Sequence, residues 1–223
     1  TSGKWQVAIK TKAVFLSISV ISIGVIIFLT KSMGGVLAMT SSLSPFFYRQ
    51  IKNNKRKTTT FLILLSLIFG LSFLVLGKDF SERSSFSSRV MIWRSAIEIA
   101  QDNVVFGIGP GMFQEKYLEY QPRFEPYLEW AVPQPHNIFL AFWLQSGLLG
   151  LIGFVWLLVI LFKDGFKRRD NEAIFLGLIL MVYFVVHGLF DNIYWKNDLA
   201  VMFWIILLLF SDIKVINKNT QTL

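Results

Sequence analysis

The sequence contains no cysteine. Disulfides, thiolate metal sites and cysteine nucleophiles are therefore excluded within it, and the redox compartment stays open. Charge is scarce too: 16% of the 223 residues are Asp, Glu, Lys or Arg, against about a quarter in a soluble domain. Acidic residues number 14 against 22 basic ones, and there are two histidines. Apolar residues fill the gap, at 54% of the chain, and they are blocked into long runs. Blocked runs are the mark of an integral membrane protein rather than a greasy soluble one. The sequence opens on Thr1 rather than Met and so reads as a piece of a longer chain. No small-residue cleavage site follows Thr30, so Lys4 to Lys12 do not read as the start of a signal peptide.

Six membrane spans are expected, at about 13–30, 34–48, 60–76, 138–162, 173–190 and 199–210. Most approach the roughly 20 residues that a spanning helix needs; the second and sixth are short. The net charge of +8 does not point to nucleic acid, because the positive residues cluster in short segments between apolar runs. Lys4, Lys10 and Lys12 precede the first span. Arg49, Lys52, Lys55, Arg56 and Lys57 lie between the second and third. Lys163, Lys167, Arg168 and Arg169 separate the fourth from the fifth, and Lys214 and Lys218 follow the sixth. With six spans all four groups fall on one side, the cytoplasmic one, and both termini fall there with them.

The opposite side then holds short turns at 31–33 and 191–198 and one long loop at 77–137, with six basic and eight acidic residues. Loops of this length without a function are uncommon. Within it, residues 89–100 read as an amphipathic helix with Val90, Trp93, Ile97 and Ala100 on one face and an Arg94–Glu98 pair on another. The run Gly107-Ile108-Gly109-Pro110-Gly111 reads as a flexible turn that lets the loop fold back. It is not a nucleotide-binding turn, since it follows a helix and lacks a Lys-Ser/Thr pair. The fold class expected is thus an all-α membrane domain of about six helices with a helix-containing extracytoplasmic loop.

Several residues could carry chemistry. His136 sits at the membrane boundary, bracketed by Pro133 and Pro135, and an imidazole can take a proton near neutral pH. Arg89 and Arg94 offer forked donors to phosphate, although Arg94 is better explained by Glu98. Lys31 stands in a very short external turn, where it either binds phosphate or snorkels. His187 and Asp191 are four residues apart and are expected on one helix face at the outer end of the fifth span. Glu119 and Glu129 lie among aromatic residues that read as an interfacial belt.

Four patterns now stand in order: Arg89-x-x-x-Trp93, Gly107-Ile-Gly109-x-Gly111-x-Phe113, His136-Asn137-x-x-Leu140 and Gly147-x-x-Gly150. In one external loop and the following span they resemble the O-antigen ligase and polymerase family, and His187-Gly-Leu-Phe-Asp191 followed by Lys196-Asn-Asp198 looks like the last external turn of its bacterial members. The resemblance runs over roughly residues 14–212 and would make this the C-terminal portion of such a protein. It implies a metal-independent, cofactor-free glycosyltransferase with a GT-C-like fold in the bacterial inner membrane. Such an enzyme moves a glycan from an undecaprenyl diphosphate carrier to a hydroxyl of a glycan, lipid or protein acceptor. His136 would be the base, and Arg89, Lys31, Asp191, His187 and Trp93 would bind the diphosphate and glycan. One departure stands out: where the family often has Ser-Arg-Gly or Ser-Arg-Ser, this chain has Ser32-Met33-Gly34. The lost arginine keeps a non-catalytic scaffold of a polysaccharide-assembly complex as an alternative. The other alternative is a glycolipid transporter or flippase, which predicts charges buried mid-span.

Overall fold

The structure, a computed structural model, describes residues 22, 32–51, 60, 85–125, 129–195 and 199–211. The expected first and third spans, apart from two single positions, and Lys31 lie outside the described residues. Every regular element among the described residues is helical. The helices are α1 (Met33–Ser42), α2 (Ser44–Ile51), α3 (Ser85–Asp102), α4 (Phe113–Tyr120), α5 (Ile138–Lys167), α6 (Glu172–Gly188) and α7 (Ala200–Phe210), with a 3-10 turn at Gln121–Arg123 after α4.

The second expected span is two helices rather than one. Ser32 caps α1 by accepting from the Gly35 N–H at 3.1 Å, and the helix stops at Leu43. Pro45 has no N–H to continue the ladder, so the chain restarts as α2. The 2.8 Å Arg49–Glu172 ion pair and an edge contact of Tyr48 with Phe166 tie α2 to the turn between α5 and α6.

Helices α5, α6 and α7 follow the last three apolar runs closely. Among the described residues α5 alone has the length and apolarity to cross a bilayer; α6 and α7 are shorter apolar helices. Their shared core is built from Phe154, Leu158 and Leu161 of α5, Leu178, Met181 and Phe184 of α6, and Phe203, Ile206 and Phe210 of α7. Asn171 caps α6 through the Ala173 and Ile174 N–H groups. Arg168 closes the other end, donating to the Phe210 carbonyl at 2.9 Å and so satisfying a bare end of α7.

A second core lies between residues 85 and 144, where α3 packs against α4 and α5. The buried face of α3 is not the expected one. Met91, Ile92, Ser95, Ala96, Ile99 and Ala100 are buried, and Ile97 is exposed. Hydropathy gives little weight to Ser95 and Ala96, yet small side chains are what let α3 sit close to two neighbours at once. The expected Arg94–Glu98 pair is also replaced: Glu98 pairs with Arg123, beyond α4.

The two cores meet at a break in α5. Gly147 has φ 71° and ψ −173°, far outside helical values. The regular ladder would join the Leu148 N–H to the Leu144 carbonyl. Instead the Leu148 N–H donates to the Val104 carbonyl at 3.0 Å, and the Leu144 carbonyl accepts from the Ile108 N–H at 2.6 Å. The loop thus takes both halves of the missing rung. Only glycine fits on either side: a Cβ on Gly147 would stand 1.9 Å from the Val105 carbonyl oxygen, and one on Gly107 (φ 68°) 2.3 Å from the Leu144 carbonyl oxygen. The glycine-rich turn does fold the loop back, and its first glycine is the docking point.

Candidate active site

A cavity of about 430 Å³ opens between the first turns of α3 and the segment returning to α5. Ser88, Arg89 and Ile92 line it from α3; Glu129, Ala131, Val132, Pro133 and His136 line it from the return segment. Arg89 and His136, separated by the whole glycine turn and α4, therefore face one space. Its volume suits a polar group of a small ligand or the end of a larger one.

The return segment is held from behind. The Tyr117 hydroxyl donates to the Glu129 carbonyl at 2.9 Å, and Gln121 Nε2 donates to the same oxygen at 2.5 Å. Tyr117 is fully buried, and burial, with the Glu129 charge second, pushes its hydroxyl up to about 12. It therefore stays a neutral donor across the physiological range.

Three consecutive residues fix the α5 end of the site. His136 adopts φ 48°, a left-handed conformation that is uncommon for a residue with a Cβ. Its carbonyl accepts from Trp93 Nε1 at 3.3 Å, and its Nδ1 lies 3.1 Å from Asp191 Oδ1. A carboxylate only accepts, so Nδ1 is the donor in this contact, and in the neutral ring that leaves Nε2 as the acceptor. Asn137 caps α5 by accepting from the Phe139 and Leu140 N–H groups, while its Nδ2 donates to the Leu189 carbonyl at 3.1 Å. Ile138 packs on Gly188, where a Cβ would approach its Cγ2 to 2.8 Å. The start of α5 is thus fastened to the end of α6 at successive positions.

Asp191 does not share a helix face with His187. Helix α6 ends at Gly188, and Asp191 lies in the turn beyond, its N–H donating to the His187 carbonyl at 3.0 Å and its Oδ1 also accepting from the Asn192 N–H at 2.8 Å. That turn aims Asp191 at His136. The His187 ring stacks on Tyr183, 5.6 Å away, and neither His187 nor Trp93 lines the cavity. Glu129, a possible acid or base among the belt aromatics, does line it, whereas Glu119 pairs with Lys116 at 2.8 Å. Gly34, in the segment that departs from the family pattern, lies against Phe190, beside Asp191.

Comparison with known families matches residues 18–155 to the family described as O-antigen ligase. The chain belongs to the O-antigen ligase family. The match takes in α1 to α4 and α5 through its break, hence both Arg89 and His136; Asp191 lies beyond it. No curated protein and no solved structure matches the chain. Membership in the O-antigen ligase family supports a place in surface-polysaccharide assembly and association with the bacterial inner membrane.

Proposed function

We propose that this chain carries the transfer site of a lipid-linked glycan transferase. In this reading a glycan leaves an undecaprenyl diphosphate carrier for an acceptor hydroxyl, outside the membrane, in a six-span, GT-C-like domain. The observation that carries it is the convergence of Arg89 and His136 on one cavity, with His136 Nδ1 held by Asp191.

The chemistry follows from the groups. The acceptor oxygen attacks the anomeric carbon, the bond from that carbon to the diphosphate oxygen breaks, and the bonding pair leaves with the diphosphate. His136 Nε2 takes the hydroxyl proton during attack. Arg89 offers its planar fork to the phosphate oxygens as charge builds there. Asp191 orients the imidazole and stabilises it once protonated, the part a carboxylate plays behind a catalytic histidine. Pro135, the Trp93 hydrogen bond and the Asn137 cap fix the His136 backbone in advance, so less ordering is left to substrate binding. The unbroken part of α5, from Leu148 to Lys163, is 15 positions, about 22 Å at 1.5 Å per residue, and the turns before the break carry the site beyond it. That span supports a site in the outer headgroup layer, where a membrane-anchored diphosphate resides. Residues 138–162 contain no charged side chain, which speaks against a transport path along α5.

The deciding experiment is a transfer assay on the full-length protein in membranes, with lipid-linked oligosaccharide and a panel of hydroxyl acceptors. Transfer that disappears in His136→Ala while donor binding persists supports the reading. Donor binding with no transfer to any acceptor by the parental protein sinks it in favour of the scaffold.

A further inference from the structure

The loop that splices into α5 also presents an apolar tip that is exposed among the described residues. Val104, Val105 and Phe106 follow α3, and Phe106 is 84% exposed. On the adjoining surface of α5, past the break, Leu149 is 73% and Trp156 68% exposed, with Ile152 exposed between them. The tip therefore extends the outward apolar face of a helix long enough to cross a bilayer. Soluble surfaces rarely carry so continuous a patch.

Two lengths fix its level. Trp93 meets His136, and Val104 meets Leu148. Eleven positions separate the first pair member from Val104 and twelve separate His136 from Leu148, so α3 and the first turns of α5 run side by side from the cavity to the tip. From Gly147 to Lys163, the first charge on α5, is 16 positions, about 24 Å of helix. A hydrocarbon core is about 30 Å thick. The tip thus falls inside its outer edge, while the cavity lies at the other end of α3 and of the α5 turns before the break. The backbone that brackets the exposed side chains is bonded to protein. Here the Val104 carbonyl accepts from Leu148 N and from Trp143 Nε1 at 3.2 Å. The Gly107 N–H donates to the Asn103 carbonyl, and the Ile108 N–H to Leu144.

We propose that residues 104–106 form a wedge set among the acyl chains of the outer leaflet, a second membrane contact that seats the external loop at a fixed height. The proposal rests on the topology given under Proposed function. Its chemistry is apolar and non-specific, as expected for bulk lipid: two β-branched residues and an aromatic ring, flanked by Asp102 and Asn103 on one side and Gly109 and Pro110 on the other.

The lack of cysteine makes the test direct. Phe106→Cys, Trp156→Cys and Gln114→Cys, introduced one at a time into the full-length protein and labelled with an environment-sensitive NBD dye, are reconstituted in phosphatidylethanolamine–phosphatidylglycerol vesicles. Phosphatidylcholine with a doxyl group on its acyl chain serves as the lipid quencher and iodide as the aqueous one. The expected result is blue-shifted emission at 106, quenched by doxyl lipid as at 156 and resistant to iodide, with 114 behaving oppositely. Iodide quenching at 106 with doxyl quenching intact at 156 overturns the wedge and leaves the span standing; loss of doxyl quenching at 156 as well removes the topology beneath it. Resistance at 106 to both quenchers also overturns it, because another helix then covers the tip. Disulfide crosslinking between unlabelled Phe106→Cys copies does the same in favour of a second copy. Because Phe106 is exposed, its replacement leaves both cores intact.

Discussion

His136 and Asp191, 55 positions apart, meet at 3.1 Å through Nδ1 and Oδ1 because α5 begins where α6 ends. The contact sets which imidazole nitrogen is free to act. Asp191→Asn, with an amide that can turn its NH₂ toward Nδ1, is expected to lower kcat on the order of 100-fold, as small misplacements of a catalytic group do. KM for the donor should stay close to parental, a split that a folding defect does not produce. Measuring kcat and KM separately on purified full-length protein distinguishes the two.

His136→Ala should lose about a hundred- to ten-thousand-fold in transfer rate, the usual worth of a general base. Donor binding should persist, because the proposed mechanism gives the diphosphate to Arg89 rather than to the imidazole. A folded variant that transfers at the parental rate rules out His136, and Glu129, which lines the same cavity, becomes the next group to replace.

Arg89→Lys should impair transfer markedly although the charge is kept, because a point charge replaces a planar fork. Near-parental activity of Arg89→Ala would move the diphosphate elsewhere. Titration with a non-transferable diphosphate lipid reads the change as weakened binding.

Gly147→Ala and Gly107→Ala test the splice. Each Cβ would collide with a carbonyl oxygen across the junction, at 1.9 Å and 2.3 Å, and each residue has positive φ. Strain of this kind costs about 1–3 kcal/mol from the backbone alone, with the clash added. Both variants should lower the midpoint of thermal unfolding in detergent, and the double variant should lose less than the two losses combined, since both displace one loop. Gly111→Ala, where a Cβ meets nothing within 4 Å, should cost less than either.

Membrane sidedness is checked with two exposed positions. Cysteine at Gln114 should react with an impermeant thiol reagent added to intact cells, and cysteine at Asp170 only after the membrane is opened. The reverse pattern would invert the charge-based topology.

The apolar runs were the most legible part of the sequence. α5, α6 and α7 begin within about two residues of where hydropathy starts them, because burial in lipid demands unbroken apolar sequence. What hydropathy misses is whatever changes backbone direction without changing polarity. Pro45 divides the second run just after Ser41, Ser42 and Ser44, small residues that a hydropathy average passes over. Gly147 breaks α5 in mid-run, and glycine inside a membrane helix is ordinary enough to raise no signal. The buried face of α3 differs from the expected one because close packing selects Ser95 and Ala96 by their small size, which hydropathy does not weigh. Of the site, the ends were legible and the join was not. Arg89, His136 and Asp191 stood out by residue type and position, but the hydrogen bond between His136 and Asp191 depends on where α6 stops. The Asn137 cap, an Asn directly before an apolar run, carried a readable start signal; its second bond, to Leu189, carried none.

The shared rung in α5 makes one hydrogen the point of choice between two arrangements. The Leu148 N–H has one hydrogen to give. An unbroken α5 gives it to Leu144, and a docked loop takes it through Val104; the two arrangements exclude each other. The shape of α5 at this level and the seating of the loop that walls the cavity are therefore one structural fact rather than two.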